Sequence, residues 1–180
     1  MTTGEFLTRL TIWITIAAYV AGVVIFALPR ISRKLDSRAR LAWTIACASL
    51  FAHLICAFQF YHQWSHDAAL LDTARQTAET TGLNWSGGLY INYLVLFLFG
   101  LDVAWWWWAG ADAYRRRSWA VTAAWHGFLL FIIFNATVVF KTGTVRWIGL
   151  VVCLILTGVW LKALIGHTIH QQTRDNTDFV

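Results

Sequence analysis

Five apolar stretches, each long enough to cross a lipid bilayer as a helix, constrain the fold of this chain more than any other feature. A helix needs about 20 predominantly apolar residues to cross the hydrocarbon core. Only 13% of the 180 residues are charged, whereas a soluble domain carries about 25%. The sequence therefore predicts an all-α, polytopic transmembrane bundle of five transmembrane helices that forms one domain over residues 1–180. The stretches are residues 10–28, 41–61, 89–109, 119–140 and 147–166.

The longest connection, between the second and third stretches, predicts a short helix outside the membrane. Residues 67–80 mix Ala and Leu with charged side chains, and Gly82 follows them. A glycine just beyond a helical segment is typical of a helix C-terminus. We expect this helix to lie on the external surface or to extend the second transmembrane helix.

Basic residues are concentrated in two of the four connections and predict the orientation of the chain. The positive-inside rule places such connections in the cytoplasm. The sequence therefore predicts an integral protein of the inner or plasma membrane, with its N-terminus outside and its C-terminus in the cytoplasm. The basic residues are Arg30, Arg33, Lys34, Arg38 and Arg40 in the first connection, and Arg115, Arg116 and Arg117 in the third.

The same charge distribution limits the expected partners. The net charge of +5 arises in short connections between helices, where we interpret the basic residues as topology signals and not as a phosphate-binding surface for nucleic acid. We therefore expect a lipid bilayer and no nucleic acid. A partner in a membrane complex, or a second copy of the chain, is compatible with the sequence.

Asp102 and His126 are ionisable residues within the third and fourth stretches. Such residues indicate function by default, because burying an unpaired charge in lipid is costly. At a rise of about 1.5 Å per residue, both lie roughly 20 Å from the external face. Since consecutive helices are usually neighbours, we expect the two side chains to contact each other inside the bundle. In one interpretation they are catalytic groups that orient a ligand or pass protons. In the other they only join two helices by a hydrogen bond.

His53 and His126 are candidate haem ligands within the bundle. His53 lies near the middle of the second stretch, and its depth differs from that of His126 by roughly 8 Å of helix rise. A bis-histidine haem requires two facing imidazoles at related depths. The suspected cofactor at His53 and His126 is therefore a haem. At His62 and His66 it is a transition metal.

His62 and His66 are candidate metal ligands at the end of the second stretch. Their i, i+4 spacing would place both imidazoles on one face of a continuing helix, a common geometry for a metal pair. Two ligands do not complete a site, so a third must come from elsewhere. Asp67, Asp72 and Glu79 are candidates on the same side of the membrane.

Three classes of function remain open. The first is a membrane redox protein or metalloenzyme with a histidine-based metal or haem site, which six histidines in so apolar a chain favour. The second is an accessory structural subunit of a membrane complex, in which the polar residues only pack helices. The third is a small-solute or proton carrier that uses Asp102 and His126 as a relay.

Overall fold

The structure, a computed structural model, describes residues 2–28 and 33–177, with side chains up to residue 162. All regular structure in this part of the chain is helical, so the predicted all-α fold is confirmed. A π-helical turn extends α2 through Phe58–His62, and another extends α5 through Asn135–Val139. The six helices are α1 Thr3–Ala27, α2 Arg33–Ala57, α3 His66–Thr81, α4 Gly88–Arg115, α5 Trp119–Phe134 and α6 Thr144–Thr177.

Five of these segments are long and apolar enough to cross a membrane, as predicted: Thr3–Ala27, Arg33–His62, Gly88–Arg115, Trp119–Val139 and Thr144–Lys162. The outer faces of these helices carry large apolar side chains that are more than half exposed, among them Phe51, Phe97 and Phe131. Such surfaces suit lipid rather than water, and the chain is an integral membrane protein.

The helices are longer than the apolar stretches that predict them. The second stretch begins at residue 41, whereas α2 begins at Arg33, so several basic residues of the first connection belong to the helix. The predicted helix outside the spans is present as α3. It ends at Gly82, whose φ of 79° and backbone N–H bond to the Ala78 carbonyl close the helix as expected.

The first helix has clear sequence signals at both of its ends. The Thr2 hydroxyl accepts a bond from the Glu5 N–H at 3.2 Å, and the Glu5 carboxylate accepts one from the Thr2 N–H at 3.1 Å. This reciprocal pair satisfies backbone donors that have no partner within the helix. At the other end Leu28 is extended, with ψ of 147°, because a residue that precedes proline disfavours the helical conformation.

α1 and α2 form a closely packed antiparallel hairpin. Ala39 and Ala46 have no exposed surface, since small side chains let two membrane helices approach closely. At Gly22 an added Cβ would lie 2.9 Å from a carbon of the Trp43 ring, so only glycine fits there. The hairpin thereby brings the Trp43 ring to the centre of the bundle.

The five spanning helices close into a ring around this centre. α1 packs on α2 and α6, α2 packs on α4, and α5 packs on α6. α4 and α5 meet through the rings of Phe99 and Trp125, whose centroids are 5.9 Å apart. We call the end of the bundle with the α1–α2 and α4–α5 connections the loop end, and the opposite end, which carries α3, the α3 end.

Candidate functional site

A cluster of five rings, one from each spanning helix, occupies the centre of the bundle. We call it the central ring cluster. His126 lies within 6.0 Å of three of the other rings, at 6.0, 5.3 and 4.9 Å between centroids for Tyr19, Trp43 and Trp160. The phenol of Tyr19 also hydrogen-bonds His126 Nδ1 at 2.9 Å. The members are Tyr19, Trp43, Phe99, His126 and Trp160.

Asp102 lies beside this cluster, towards the loop end, and its carboxylate accepts hydrogen bonds from three side chains. Trp43 Nε1 donates to Oδ2 at 2.8 Å, and the Tyr114 hydroxyl donates to the same oxygen at 2.7 Å. Arg117 forms an ion pair with Oδ1. The side chains of Asp102 and Arg117 are only 9% and 7% exposed, so both charges of this pair are buried.

The expected contact between Asp102 and His126 is wrong. Both side chains lie inside the bundle, but the carboxylate bonds Trp43, Tyr114 and Arg117, and the imidazole bonds Tyr19. The Trp43 ring is their shared neighbour: its Nε1 donates to Asp102, and its ring contacts His126. Matching depth on consecutive helices is not sufficient for pairing, because α4 packs mainly on α2.

A break in α4 explains why the partners of Asp102 were not found from the sequence. Gly110 has φ of 81° and ψ of 170°, a conformation essentially restricted to glycine. The chain beyond it turns back against the helix, so that the Tyr114 ring stacks on Trp106 at 3.9 Å and Arg117 reaches Asp102. A glycine directly after the third apolar stretch was the available signal, but a glycine does not specify a reversal by itself.

A second buried ion pair at the loop end also escaped the sequence reasoning. Arg115 Nη2 lies 2.6 Å from Asp36 Oδ1, and the Asp36 side chain is 3% exposed. The same guanidinium donates to the Phe26 carbonyl at 3.2 Å and lies 4.2 Å from the centre of the Phe26 ring. Arg115 of the third connection therefore also joins α1, α2 and α4, and Arg117 joins α4 to α5 through Asp102 and Thr122.

His53 and His126 contact α1 at different heights. His53 Nδ1 bonds the Thr8 carbonyl at 2.9 Å, whereas His126 bonds Tyr19. The eleven residues between Thr8 and Tyr19 correspond to about 16 Å of helix rise, twice the depth difference estimated from the sequence. In this arrangement the two imidazoles do not face a common iron position. Haem binding stays a prediction that the geometry of these two residues does not favour.

His62 and His66 do not share a helical face, because the helix ends between them. The π-helical turn stops at His62, and Gln63 and Trp64 take positive φ of 49° and 60°. Ser65 then caps α3 through the Ala68 N–H. The assumption of a continuing helix, on which the i, i+4 geometry depended, is wrong.

The two imidazoles have separate aromatic neighbours. The His62 ring lies 5.6 Å from that of Phe58. His66 Nδ1 lies 3.2 Å from the Tyr93 hydroxyl, and its ring also approaches Tyr90. Among the residues that the structure describes, no group of three or more His, Cys, Asp or Glu side chains is placed to hold a metal ion. The metal site at His62 and His66 stays a prediction, without a third ligand in the structure.

In comparisons with known proteins, the chain matches no family model, no curated protein and no solved structure.

Proposed function

We propose that this chain is an accessory structural subunit of a membrane complex, in which the intramembrane polar residues hold the subunit's own helices together. One observation carries the proposal: His53, Asp102 and His126, which lie inside the spans, each bond a different segment of the bundle. His126 joins α5 to α1, His53 joins α2 to α1, and Asp102 joins α4 to α2 through Trp43.

The state of Asp102 supports a structural role. Three donors surround its carboxylate, and one of them is a buried guanidinium. Both oxygens of this carboxylate therefore accept bonds from side chains of the bundle itself. Polar side chains that hydrogen-bond across helices are a common means of holding membrane bundles together.

The position of Trp43 argues against a proton relay between Asp102 and His126. The indole N–H donates to the carboxylate, and an indole has no acceptor atom through which a proton could continue. The contact between Trp43 and His126 is a ring contact at 5.3 Å. The two halves of the supposed relay are therefore separated by a side chain that does not pass protons.

The accessory role is tested by purifying the tagged chain from its own membranes at its native level of expression, in a mild detergent. We expect it to migrate in a native gel with defined polypeptides in a fixed ratio. A chain that migrates at the 20.5 kDa of one copy, or as copies of itself alone, contradicts the proposal. An unrelated tagged protein of similar size from the same membranes is the control for trapped neighbours.

A histidine-based metal or haem site is the second candidate function. His126 favours it, because its second ring nitrogen has no hydrogen-bond partner among the described residues. The optical spectrum and metal content of the same purified sample test it. A visible absorbance band that disappears in His126→Ala, or a stoichiometric metal lost in His62→Ala with His66→Ala, supports this candidate. An unaltered metal content in the double variant rejects the external pair.

We further propose that the N-terminus lies outside and that the loop end is cytoplasmic, from the distribution of basic residues. The structure improves the test, because Arg116 is exposed whereas the side chains of Arg115 and Arg117 are largely buried in ion pairs. In a variant without native cysteines, an impermeant maleimide applied to intact cells should label Thr80→Cys on α3 and spare Arg116→Cys. Labelling of Arg116→Cys alone would reverse the orientation.

A further inference from the structure

A cavity at the loop end adjoins the Asp36–Arg115 ion pair. It has a volume of about 260 Å³ and opens between the first two turns of α2 and the segment that follows Gly110. The residues of α2 that line it occur at i, i+3, i+4 and i+7, which places them on one helical face. The lining residues are Arg33, Asp36, Ser37, Arg40, Ala111 and Asp112.

The balance of charge around the cavity favours an anion. The Asp36 carboxylate is compensated by Arg115 at 2.6 Å. Arg33 and Arg40 form no ion pair with another described residue, and Arg40 lies 3.8 Å above the centre of the Trp107 ring. With Arg115 included, three guanidinium groups stand against two carboxylates, those of Asp36 and Asp112. The cavity also adjoins the N-terminal turn of α2, where the helix dipole favours negative charge.

Exposed tryptophans of α4 indicate that the cavity lies near the level of lipid headgroups. Trp107 of α4, whose ring lies below the Arg40 guanidinium, is 52% exposed, and its neighbour in sequence, Trp108, is 87% exposed. Trp107 Nε1 also donates to Thr44 of α2. Exposed tryptophans near the end of a spanning helix are typical of the membrane–water interface. A guanidinium stacked on such an indole lies where a phospholipid phosphate is found.

We propose that this cavity binds the phosphate of an anionic phospholipid, with Arg33 and Arg40 as the phosphate-binding side chains. Basic pockets between transmembrane helices bind anionic headgroups in this way. Arg40 packs on the Trp107 ring, and Arg33 lies one helical turn before Ser37 on the same face of α2. The acyl chains would extend over the lipid-exposed surface of Trp107 and Trp108. This proposal is independent of the accessory role.

The test is native mass spectrometry of the full chain, purified in detergent and supplied with equal amounts of phosphatidylglycerol and phosphatidylcholine. We expect the wild-type chain to retain phosphatidylglycerol about tenfold more than phosphatidylcholine. The double variant Arg33→Gln, Arg40→Gln should lose this preference. The control Arg38→Gln, Arg116→Gln removes the same charge from exposed positions that do not line the cavity, and it should keep the preference.

Two further measurements keep the proposal falsifiable. If the double variant does not give a monodisperse protein, Ser37→Leu fills the cavity with both arginines intact, and it should abolish the preference equally. Glycerol 3-phosphate, added in millimolar excess, should not displace the lipid. Equal loss of preference in the control, retention in Ser37→Leu, or displacement by the soluble phosphate would each overturn the assignment of a phospholipid site.

Discussion

The two ends of the bundle use similar residue types in opposite ways. At the loop end, Asp36 and Asp102 are buried and each is paired with an arginine from the segment after Gly110. At the α3 end, the ion pairs of Arg75 with Asp72 and Glu79 lie on the surface of α3, where the arginine side chain is 68% exposed. His66 at this end is exposed as well.

Burial, and not residue type, decides what a polar side chain contributes to stability in this bundle. An exposed ion pair contributes about 0–1 kcal/mol, because water and salt screen it. Removing one partner of a buried pair costs far more, because the other charge stays in a medium that cannot solvate it. The loop end should therefore dominate the stability of the bundle, although the α3 end has the histidine spacing that predicts a metal site.

The largest effect is expected for Arg117→Ala. This change leaves the Asp102 carboxylate buried without its counter-ion and should lower the free energy of unfolding by about 3–5 kcal/mol. Arg116→Ala, one residue away and exposed, should change it by less than about 0.5 kcal/mol. Unfolding in mixed detergent and dodecyl sulfate micelles measures both values.

A double variant sharpens this test. Asp102→Asn combined with Arg117→Gln removes both charges while the Asn oxygen can still accept bonds from Trp43 and Tyr114. Its loss of stability should be smaller than that of Arg117→Ala, since no unpaired charge is left buried. Equal or greater loss would mean that packing of the arginine side chain, rather than the ion pair, stabilises the loop end.

A smaller effect is expected for Gly110→Ala, which tests the backbone that positions both arginines. Nothing lies within 4 Å of a Cβ added at Gly110, but its φ of 81° is strained for alanine. We expect a loss of about 1–3 kcal/mol. Gly100→Ala in the same helix has equally open surroundings and no positive φ, and it should stabilise the protein by about 0.5–1 kcal/mol. If both changes stabilise, the break at Gly110 is not present in solution.

Much of the fold could be predicted because it depends on local pattern. The lengths of the apolar stretches predict the five spans. Gly82 predicts the end of α3, because glycine readily adopts the left-handed conformation found at helix ends. The partners of Asp102 could not be predicted, because they depend on the reversal at Gly110 and on which helices become neighbours. Neither property is encoded in residue spacing.

The histidine pair shows the opposite failure, in which spacing predicted too much. The interval between His62 and His66 is that of one helical turn, but the interval has this meaning only if the helix continues. Gln63 and Trp64 adopt positive φ, which is uncommon for residues other than glycine. No residue in this segment is a conventional helix breaker, so the sequence offered no warning.

A still smaller effect is expected at the centre of the bundle, between the two ends. Tyr19→Phe removes the hydroxyl that bonds His126 and preserves the ring contacts with Trp43 and Phe99. Hydrogen bonds between membrane helices contribute about 0.6 kcal/mol on average and up to about 1.7, so we expect a loss of about 1 kcal/mol. A loss as large as that of Arg117→Ala would show that the central ring cluster, and not the loop end, dominates stability.

The smallest effect is expected at the α3 end, for His62→Ala and His66→Ala. Neither imidazole is buried, and the bond between His66 and Tyr93 is exposed, so each change should alter the free energy of unfolding by less than about 0.5 kcal/mol. Because the two residues lie on separate helical segments with separate neighbours, their effects should add.

A metal bound by both histidines would instead couple the two effects, since losing either ligand would release the metal. Measuring the double variant with and without added Zn²⁺ therefore separates the two possibilities. Additive changes that Zn²⁺ leaves unaltered would reject a metal site at His62 and His66, whereas stabilisation by Zn²⁺ only when both histidines are present would show that the α3 end closes around an ion.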